Sequence, residues 1–282
     1  MEEIVLESYG KINLSLDVLY RRDDGYHELN TIMQEISLKD RVILRDRKNG
    51  IKIECNKAEV PLDRNNLVYR AWEKLSEEME IDRGIHIILD KEIPVAAGLA
   101  GGSSNAAAVL KGLNILWDLN LSEEELRRIG VCLGADIPFC IMGGTAHARG
   151  IGEELTKLRC FSDKMVLLVD MGIPISTPYV YDNLDLDSRD RIDINEMVRY
   201  IEDDDLPNVA RNMENMMEDT VIRRYPIVGN VKEYMLRGGA LGSIMSGSGP
   251  TVFGLFDDEE KLHRCREGLK DRIKATYIAR TI

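Results

Sequence analysis

A fold that mixes helices and strands is what the sequence predicts, and three observations predict it. Apolar residues alternate strictly at Ile12, Leu14, Leu16 and Val18, the period of a strand buried on one face. The β-branched apolar run 85–89 leads into a glycine-rich loop, then into Ala106, Val109, Leu110, Leu113 and Leu116 at helical spacing. The second half opens on an apolar strand at 165–169 and continues through helical patterns near 193–202, 208–219 and 227–237. With 282 residues, 44% of them hydrophobic, the chain can bury a full core and is long enough for two domains. The polar, aperiodic stretch 156–164 marks the expected boundary, which gives domains 1–158 and 159–282.

Taken in order, residues 4–19 read as strand, and their alternation puts Lys11, Asn13, Ser15 and Asp17 together on the polar face. Such a face is either solvated or kept for chemistry, and the strand by itself leaves both readings open. Asp23-Asp24-Gly25 signals a turn, followed by Tyr26, His27 and strand-like runs at 31–38, 41–45 and 51–55. Asn65-Asn66 introduces a helix carrying Leu67, Val68, Ala71, Trp72 and Leu75. Ser122 and Glu125 have capping-box spacing, and the helix they open carries Leu126, Ile129 and Leu133 to a stop at Gly134. Asp136 then stands between that stop and Pro138, among apolar neighbours that draw its carboxylate away from bulk water; it either caps a turn or does chemistry.

The most informative stretch is Pro94, Val95, Ala96, Ala97, Gly98, Leu99, Ala100, Gly101, Gly102, Ser103, Ser104, Asn105. Three glycines allow close backbone approach to an anion, and the free N–H groups of the helix that follows point at it. Read alone, the loop is either a phosphate cradle or a flexible N-terminal turn. No Lys precedes Ser103-Ser104, so the pattern is not a P-loop, and neither the dinucleotide fingerprint nor the protein-kinase signatures are present. A second glycine and serine loop, Gly242–Thr251, runs directly into the apolar strand 252–256.

Charge and composition remove other classes. The net charge is −12, from 37 basic and 49 acidic residues without a long basic block, so nucleic acid is not an expected partner. Residues 1–4 lack the basic and apolar regions of a signal peptide, and no run approaches the ~18 apolar residues of a membrane span. The expected location is cytoplasmic, without membrane association, as a monomer or weak homodimer. Five widely spaced cysteines with no Cys-x-x-Cys pair read as reduced, mostly buried small hydrophobes. Asp203-Asp204-Asp205 and the pair Asp185 and Asp187 read as solvated loop charges, not metal ligands.

The loop 94–104, the late Ser246-Gly247-Ser248-Gly249-Pro250, and the segments Gly10-Lys11-Ile12-Asn13-Leu14, Asp24-Gly25-Tyr26-His27-Glu28-Leu29 and Gly134-Ala135-Asp136-Ile137-Pro138-Phe139 together resemble the GHMP kinases. That family is named for galactokinase, homoserine kinase, mevalonate kinase and phosphomevalonate kinase. Within it the match narrows to members acting on a cytidine diphosphate-linked methylerythritol. The motifs run in order from about residue 9 to 254. One departure is Ala100, where relatives outside this subgroup often carry glycine; it removes no N–H donor.

The resemblance implies an α+β, two-domain GHMP kinase fold: an N-terminal ribosomal-protein-S5-domain-2-like domain with a left-handed β-α-β element, and a C-terminal antiparallel sheet plus helices. It places the active site in the cleft between them. It further implies ATP and Mg²⁺ as cofactors, with residues 94–104 holding the ATP phosphates and the metal ligands unassigned. Asp136 would accept the proton of the substrate hydroxyl, and Lys11 would keep that carboxylate ionised. Asn13 would lie near the methylerythritol part, and Thr177 near the diphosphate or base. His27 would present ring nitrogens or backbone to cytosine, with Tyr26 and Tyr181 offering aromatic faces; Tyr179 stands as the alternative to Tyr181.

Overall fold

Alternation at the start of the chain yields β1 (Glu3–Arg21), which pairs with β2 (His27–Arg47). The structure is a computed structural model that describes residues 3–186, 191–270 and 273–282. Residues 1 and 2 of the leader reading, and Asp187 of the expected loop pair, lie outside them. The contacts divide the chain into two units. The first takes in the chain up to Gly10, Lys39–Val95 and Ala100–Gly143, and the second Lys11–Leu38, Ala96–Leu99 and Gly144–Ile282.

In the first unit β3 (Ile51–Cys55), α1 (Leu67–Glu78) and β4 (Gly84–Asp90) form a β-α-β element whose two strands are parallel. β4 also pairs antiparallel with Arg41–Arg47 of β2. Asn66 caps α1 by accepting the Val68 N–H, and the helix buries Val68, Ala71 and Leu75. That spacing is one helical stripe, which packs on α2 (Gly101–Leu116). α3 (Glu123–Val131) opens on the Ser122–Glu125 capping box, with both reciprocal bonds formed. α4 (Ile137–Met142) packs on α2 and α3.

In the second unit Leu29–Gln34 of β2 pairs antiparallel with β5 (Thr145–Gly150), which pairs with β6 (Glu154–Lys157). β7 (Met165–Asp170) begins the segment that builds a second sheet. After it come α5 (Thr177–Asp182), α6 (Ile194–Glu202), α7 (Leu206–Arg211), α8 (Glu218–Arg224) and α9 (Ile227–Arg237). β8 (Gly242–Met245), β9 (Val252–Phe256), α10 (Glu259–Leu269) and β10 (Ala275–Arg280) complete the chain. The sheet is antiparallel in the order β10-β7-β9-β8, and α9 and α10 pack on it. Its core joins Leu167, Val169, Val252 and Phe256 to Met216, Met217, Val221, Val231 and Met235.

Four readings of the sequence are corrected. The runs 31–38 and 41–45 belong to one strand, and Asp40, which lies between them, is fully buried and bonded. The helix from Ser122 stops at Val131, and Gly134 lies in the turn beyond it. The helical pattern 208–219 is two helices, α7 and α8, separated by a stretch that leaves helical geometry to pair with β1. There the Leu16 N–H donates to Glu214 O and the Met216 N–H to Leu16 O, at 2.8 and 2.9 Å. The cysteines are free thiols as expected, but only Cys140 and Cys265 are buried; Cys132 and Cys160 are exposed. Burial pushes the Cys265 thiol up to about 11, so it remains protonated. Asp205 caps α7 and Asp204 pairs with Lys164.

Asp40 is the polar centre of the first unit. Its Oδ1 accepts the N–H groups of Glu92 and Ile93, each at 2.8 Å, and its Oδ2 accepts from Lys91 Nζ at 2.5 Å and Asn105 Nδ2 at 2.8 Å. Lys91 also donates to Asn105 Oδ1, and Asn105 Nδ2 lies 2.9 Å from Ser8 Oγ. Strand β2, the 91–93 turn and the start of α2 are thereby tied through one carboxylate. Lys91→Met leaves that buried carboxylate without its cation and is expected to destabilise by about 3–5 kcal/mol. Arg237→Ala removes an exposed i,i+4 partner of Glu233 and should change stability by less than about 0.5 kcal/mol. Denaturant midpoints of the two variants check the contrast.

Candidate active site

The 94–104 loop is divided between the units: Pro94, Val95 and residues 100–104 belong to the first, and Ala96–Leu99 to the second. Its backbone is left-handed at Ala96 (φ 56°), Gly98 (φ 77°) and Ala100 (φ 55°). Alternating left-handed residues turn successive amides toward one side of the chain, the geometry of an anion-binding nest. Ala100 is also the N-cap of α2 and makes no side-chain cap bond. The helix therefore opens with its first amides unspent on a cap side chain, and an anion there is favoured by the helix dipole.

In the first unit the two serines of the loop separate. Ser104 is buried, its hydroxyl 2.7 Å from Ser8 Oγ and its N–H donated to Ala100 O. Ser103 is only partly buried, and its Oγ lies 3.9 Å from where a Cβ on Gly134 would stand. The turn carrying Gly134, Ala135 and Asp136 thus lies beside the start of α2. Asp136 occupies the N-cap position of α4 but forms no cap bond with its side chain.

In the second unit the inward face of β1 is buried throughout: Lys11 is 5% exposed, Asn13 3%, Ser15 0% and Asp17 1%. A solvated face is excluded by those values. Lys11 Nζ donates to Asn13 Oδ1 at 2.8 Å, and the Lys11 N–H to Leu99 O at 3.0 Å. A Cβ on Gly247 would stand 3.5 Å from Asn13 Oδ1, 3.5 Å from Gly98 O and 3.8 Å from Lys11 Nζ. The two glycine loops therefore meet around the Lys11–Asn13 pair. Ser246 Oγ donates to Gly98 O at 3.0 Å, and the Thr251 N–H to Ala97 O at 3.4 Å. Asn215, which the sequence reading did not single out, holds the second loop by donating to Met245 O and Gly247 O, both at 2.8 Å.

The aromatic candidates also lie in the second unit. His27 and Tyr181 stack with ring centroids 4.7 Å apart and an interplanar angle of 22°. Tyr179, two positions earlier on α5, packs instead under Arg224, whose guanidinium carbon is 4.4 Å from its ring centre. Thr177 Oγ1 lies 2.8 Å from Ser248 Oγ, which links α5 to the second glycine loop. Tyr26 is exposed, with its N–H donated to Asp24 Oδ1. Desolvation, reinforced by the Arg21 guanidinium and opposed by Asp182, lowers the pKa of the His27 imidazole below its ordinary value. His27 is thus neutral near pH 7, with one ring nitrogen to donate and one to accept. Among the described residues no group of three or more His, Cys, Asp and Glu could cage a metal ion, and no helix is long and apolar enough to cross a membrane.

Comparison with known proteins agrees with these motifs. The family model for the GHMP kinases N terminal domain matches residues 66–144, and the one for the GHMP kinases C terminal matches residues 197–275. A 4-diphosphocytidyl-2-C-methyl-D-erythritol kinase of Clostridium botulinum (strain Eklund 17B / Type B) is 47% identical over 278 residues, 98% of this chain and 99% of the relative. One of Acetivibrio thermocellus is 46% identical over the full length of both. The crystal structure of a 4-(cytidine 5'-diphospho)-2C-methyl-D-erythritol kinase superposes with a TM-score of 0.83 at 31% identity, covering 99% of each chain.

The meeting of the two loops sets a stability test. A Cβ on Gly98 would stand 2.5 Å from Ser246 O and 3.0 Å from Gly249 O, at a backbone angle that L residues disfavour. Gly98→Ala is expected to destabilise by at least about 2 kcal/mol. A Cβ on Gly102 would meet nothing closer than Leu67 Cδ1 at 3.7 Å, and Gly102→Ala should stay within about 1 kcal/mol of the parent. Equal denaturant midpoints for the two variants would contradict the contact.

Proposed function

The chain belongs to the GHMP kinase family, and from that premise we propose that it phosphorylates the 2-hydroxyl of 4-diphosphocytidyl-2-C-methyl-D-erythritol with ATP. The products are the 2-phosphate and ADP, a step of the non-mevalonate route to isoprenoid precursors. The observation that carries this reading is the presence in one unit of a buried Lys11–Asn13 pair facing a glycine loop and a neutral His27 stacked on Tyr181. The first suits phosphoryl transfer and the second suits a nucleobase. The full-length identity to kinases of that name supports the same substrate.

Phosphoryl transfer asks a protein to align two oxygens and to stabilise spread negative charge. On this reading the amides of residues 94–104 and the start of α2 hold the ATP phosphates. With no carboxylate cage among the described residues, the Ser103 hydroxyl and the Asp136 carboxylate are the oxygen donors this reading offers to the metal. That set suits a Mg²⁺ that arrives on the nucleotide and keeps most of its ligands from phosphate and water. When bound, the ion adds positive charge to the transferring phosphoryl group. The Asp136 carboxylate accepts the proton of the substrate hydroxyl, and the Lys11 ammonium eases alkoxide formation. Asn13 lies along the sugar alcohol, Thr177 by the diphosphate or base, and His27 reads the edge of cytosine with Tyr26 and Tyr181 offering ring faces.

A homoserine or mevalonate kinase would share the glycine loops without a use for Tyr26 and His27, and a non-catalytic nucleotide binder would not need Lys11 or Asp136. Purified protein with ATP and Mg²⁺ should therefore release ADP with the cytidyl substrate and not with homoserine or mevalonate. Asp136→Asn should lower kcat by roughly 10²–10⁴-fold and leave ATP binding intact; a near-parental rate would remove Asp136 from the base role.

The lowered pKa of His27 fixes the sign of a pH test. The folded state disfavours the imidazolium, so the neutral ring persists as pH falls to the ordinary histidine value of about 6.5 and is lost only below it. The KM for the cytidyl substrate should be flat from about pH 8 to 6.5 and rise below that range. His27→Ala should raise that KM far more than the KM for ATP and abolish the acid rise. Equal effects on both substrates would make His27 structural.

A further inference from the structure

Beneath the Lys11–Asn13 pair lies a chain of hydrogen bonds in which every direction is fixed. Thr31, on β2 and fully buried, donates its hydroxyl proton to the backbone carbonyl of Ser15 at 2.6 Å. A hydroxyl has one proton, so toward Asn13 the same oxygen can only accept, and Asn13 Nδ2 donates to it at 2.9 Å. With Nδ2 committed there, Asn13 turns Oδ1 to Lys11, whose ammonium can only donate; the distance is 2.8 Å. The opposite amide orientation would set NH₂ against NH₃⁺ and leave Thr31 facing a second acceptor. The carbonyl of Ser15, fixed in the β1 backbone, thereby dictates the orientation of an amide and a cation two and four residues away.

We infer that Thr31 is a positioning residue of the phosphoryl transfer: its hydroxyl locks the Asn13 amide in the orientation that holds the Lys11 ammonium beside Gly247. The inference rests on the reading of Lys11 given above. Thr31 touches neither substrate nor nucleotide on this view, and its methyl group contributes only packing. What matters is one oxygen that accepts from Asn13 while donating to Ser15. Valine keeps the shape and loses both bonds, whereas serine keeps both bonds and loses the methyl.

The full chain is compared as parent, Thr31→Val, Thr31→Ser and Lys11→Met, with kcat, the KM of each substrate and Tm measured for each. Thr31→Val is expected to lower kcat by about ten- to a hundredfold, as loss of alignment without loss of a reacting group does. The KM for ATP should be unchanged, and Thr31→Ser should return to within about threefold of the parent, since it restores the positioning. A folded valine variant at parental kcat overturns the inference, as does a serine variant as slow as valine. If valine does not fold, Thr31→Cys, close in size but a poor hydrogen-bonding group, replaces it. Unfolding of both, with serine active, makes the hydroxyl structural and also overturns the inference. Lys11→Met separates the two levels: full activity in that variant overturns the reading of Lys11, whereas an inactive Lys11→Met beside a fully active Thr31→Val overturns the role of Thr31 alone.

Discussion

The contact that joins the two glycine loops in the second unit is peptide against peptide. Gly98 lies so close to Ser246 and Gly249 that no side chain fits between them. The bonds around it, Ser246 Oγ to Gly98 O, the Thr251 amide to Ala97 O and the Lys11 amide to Leu99 O, seat four residues of the first glycine loop among segments far away in the sequence. A short strip of backbone thus carries β1 on one side and the second glycine loop on the other. The Lys11 ammonium is placed by that arrangement as much as by its own strand. Asn215 extends the framework, because the stretch that breaks the helical run 208–219 both pairs with Leu16 and binds the carbonyls of Met245 and Gly247.

The first unit solves a different problem. Asp40 sits fully buried in a strand and brings together Lys91, two backbone amides and Asn105. Burying a carboxylate is unfavourable unless it is paired and fully bonded, and this one is both. What results is a fixed origin for α2. Since Ser104 is drawn inward to Ser8 and Asn105 to Asp40, the less buried part of the helix start is Gly101, Gly102 and Ser103, with Gly102 exposed. These residues are small, which leaves the first amides of the helix open to close approach.

Much of this was legible in the sequence where the signal is local. Strict alternation gave β1, capping-box spacing gave α3, and the strand, glycine loop and helix gave the region around α2. The burial of Lys11, Asn13, Ser15 and Asp17 was not legible, because alternation separates two faces without saying that both are covered. The pairing of His27 with Tyr181 joins residues 154 positions apart and needs the tertiary fold. Once α5 forms, however, residues two apart on it point in opposite directions, Tyr181 to His27 and Tyr179 to Arg224. The break near residue 40 was misread for a related reason, since a charged residue suggests a loop unless its partners, here 51 and 65 positions away, are known.

Ala96 and Ala100 hold left-handed backbone where glycine would be at ease, each at a penalty of about 1 kcal/mol. In return, a methyl group at both positions denies the unfolded chain many of the conformations that glycine would sample. The ordering entropy of this turn is therefore met when the protein folds, not when a ligand arrives. A phosphate reaching it would encounter amides already aimed, so its affinity would be set by the charge it brings and not by how much loop it must first arrange.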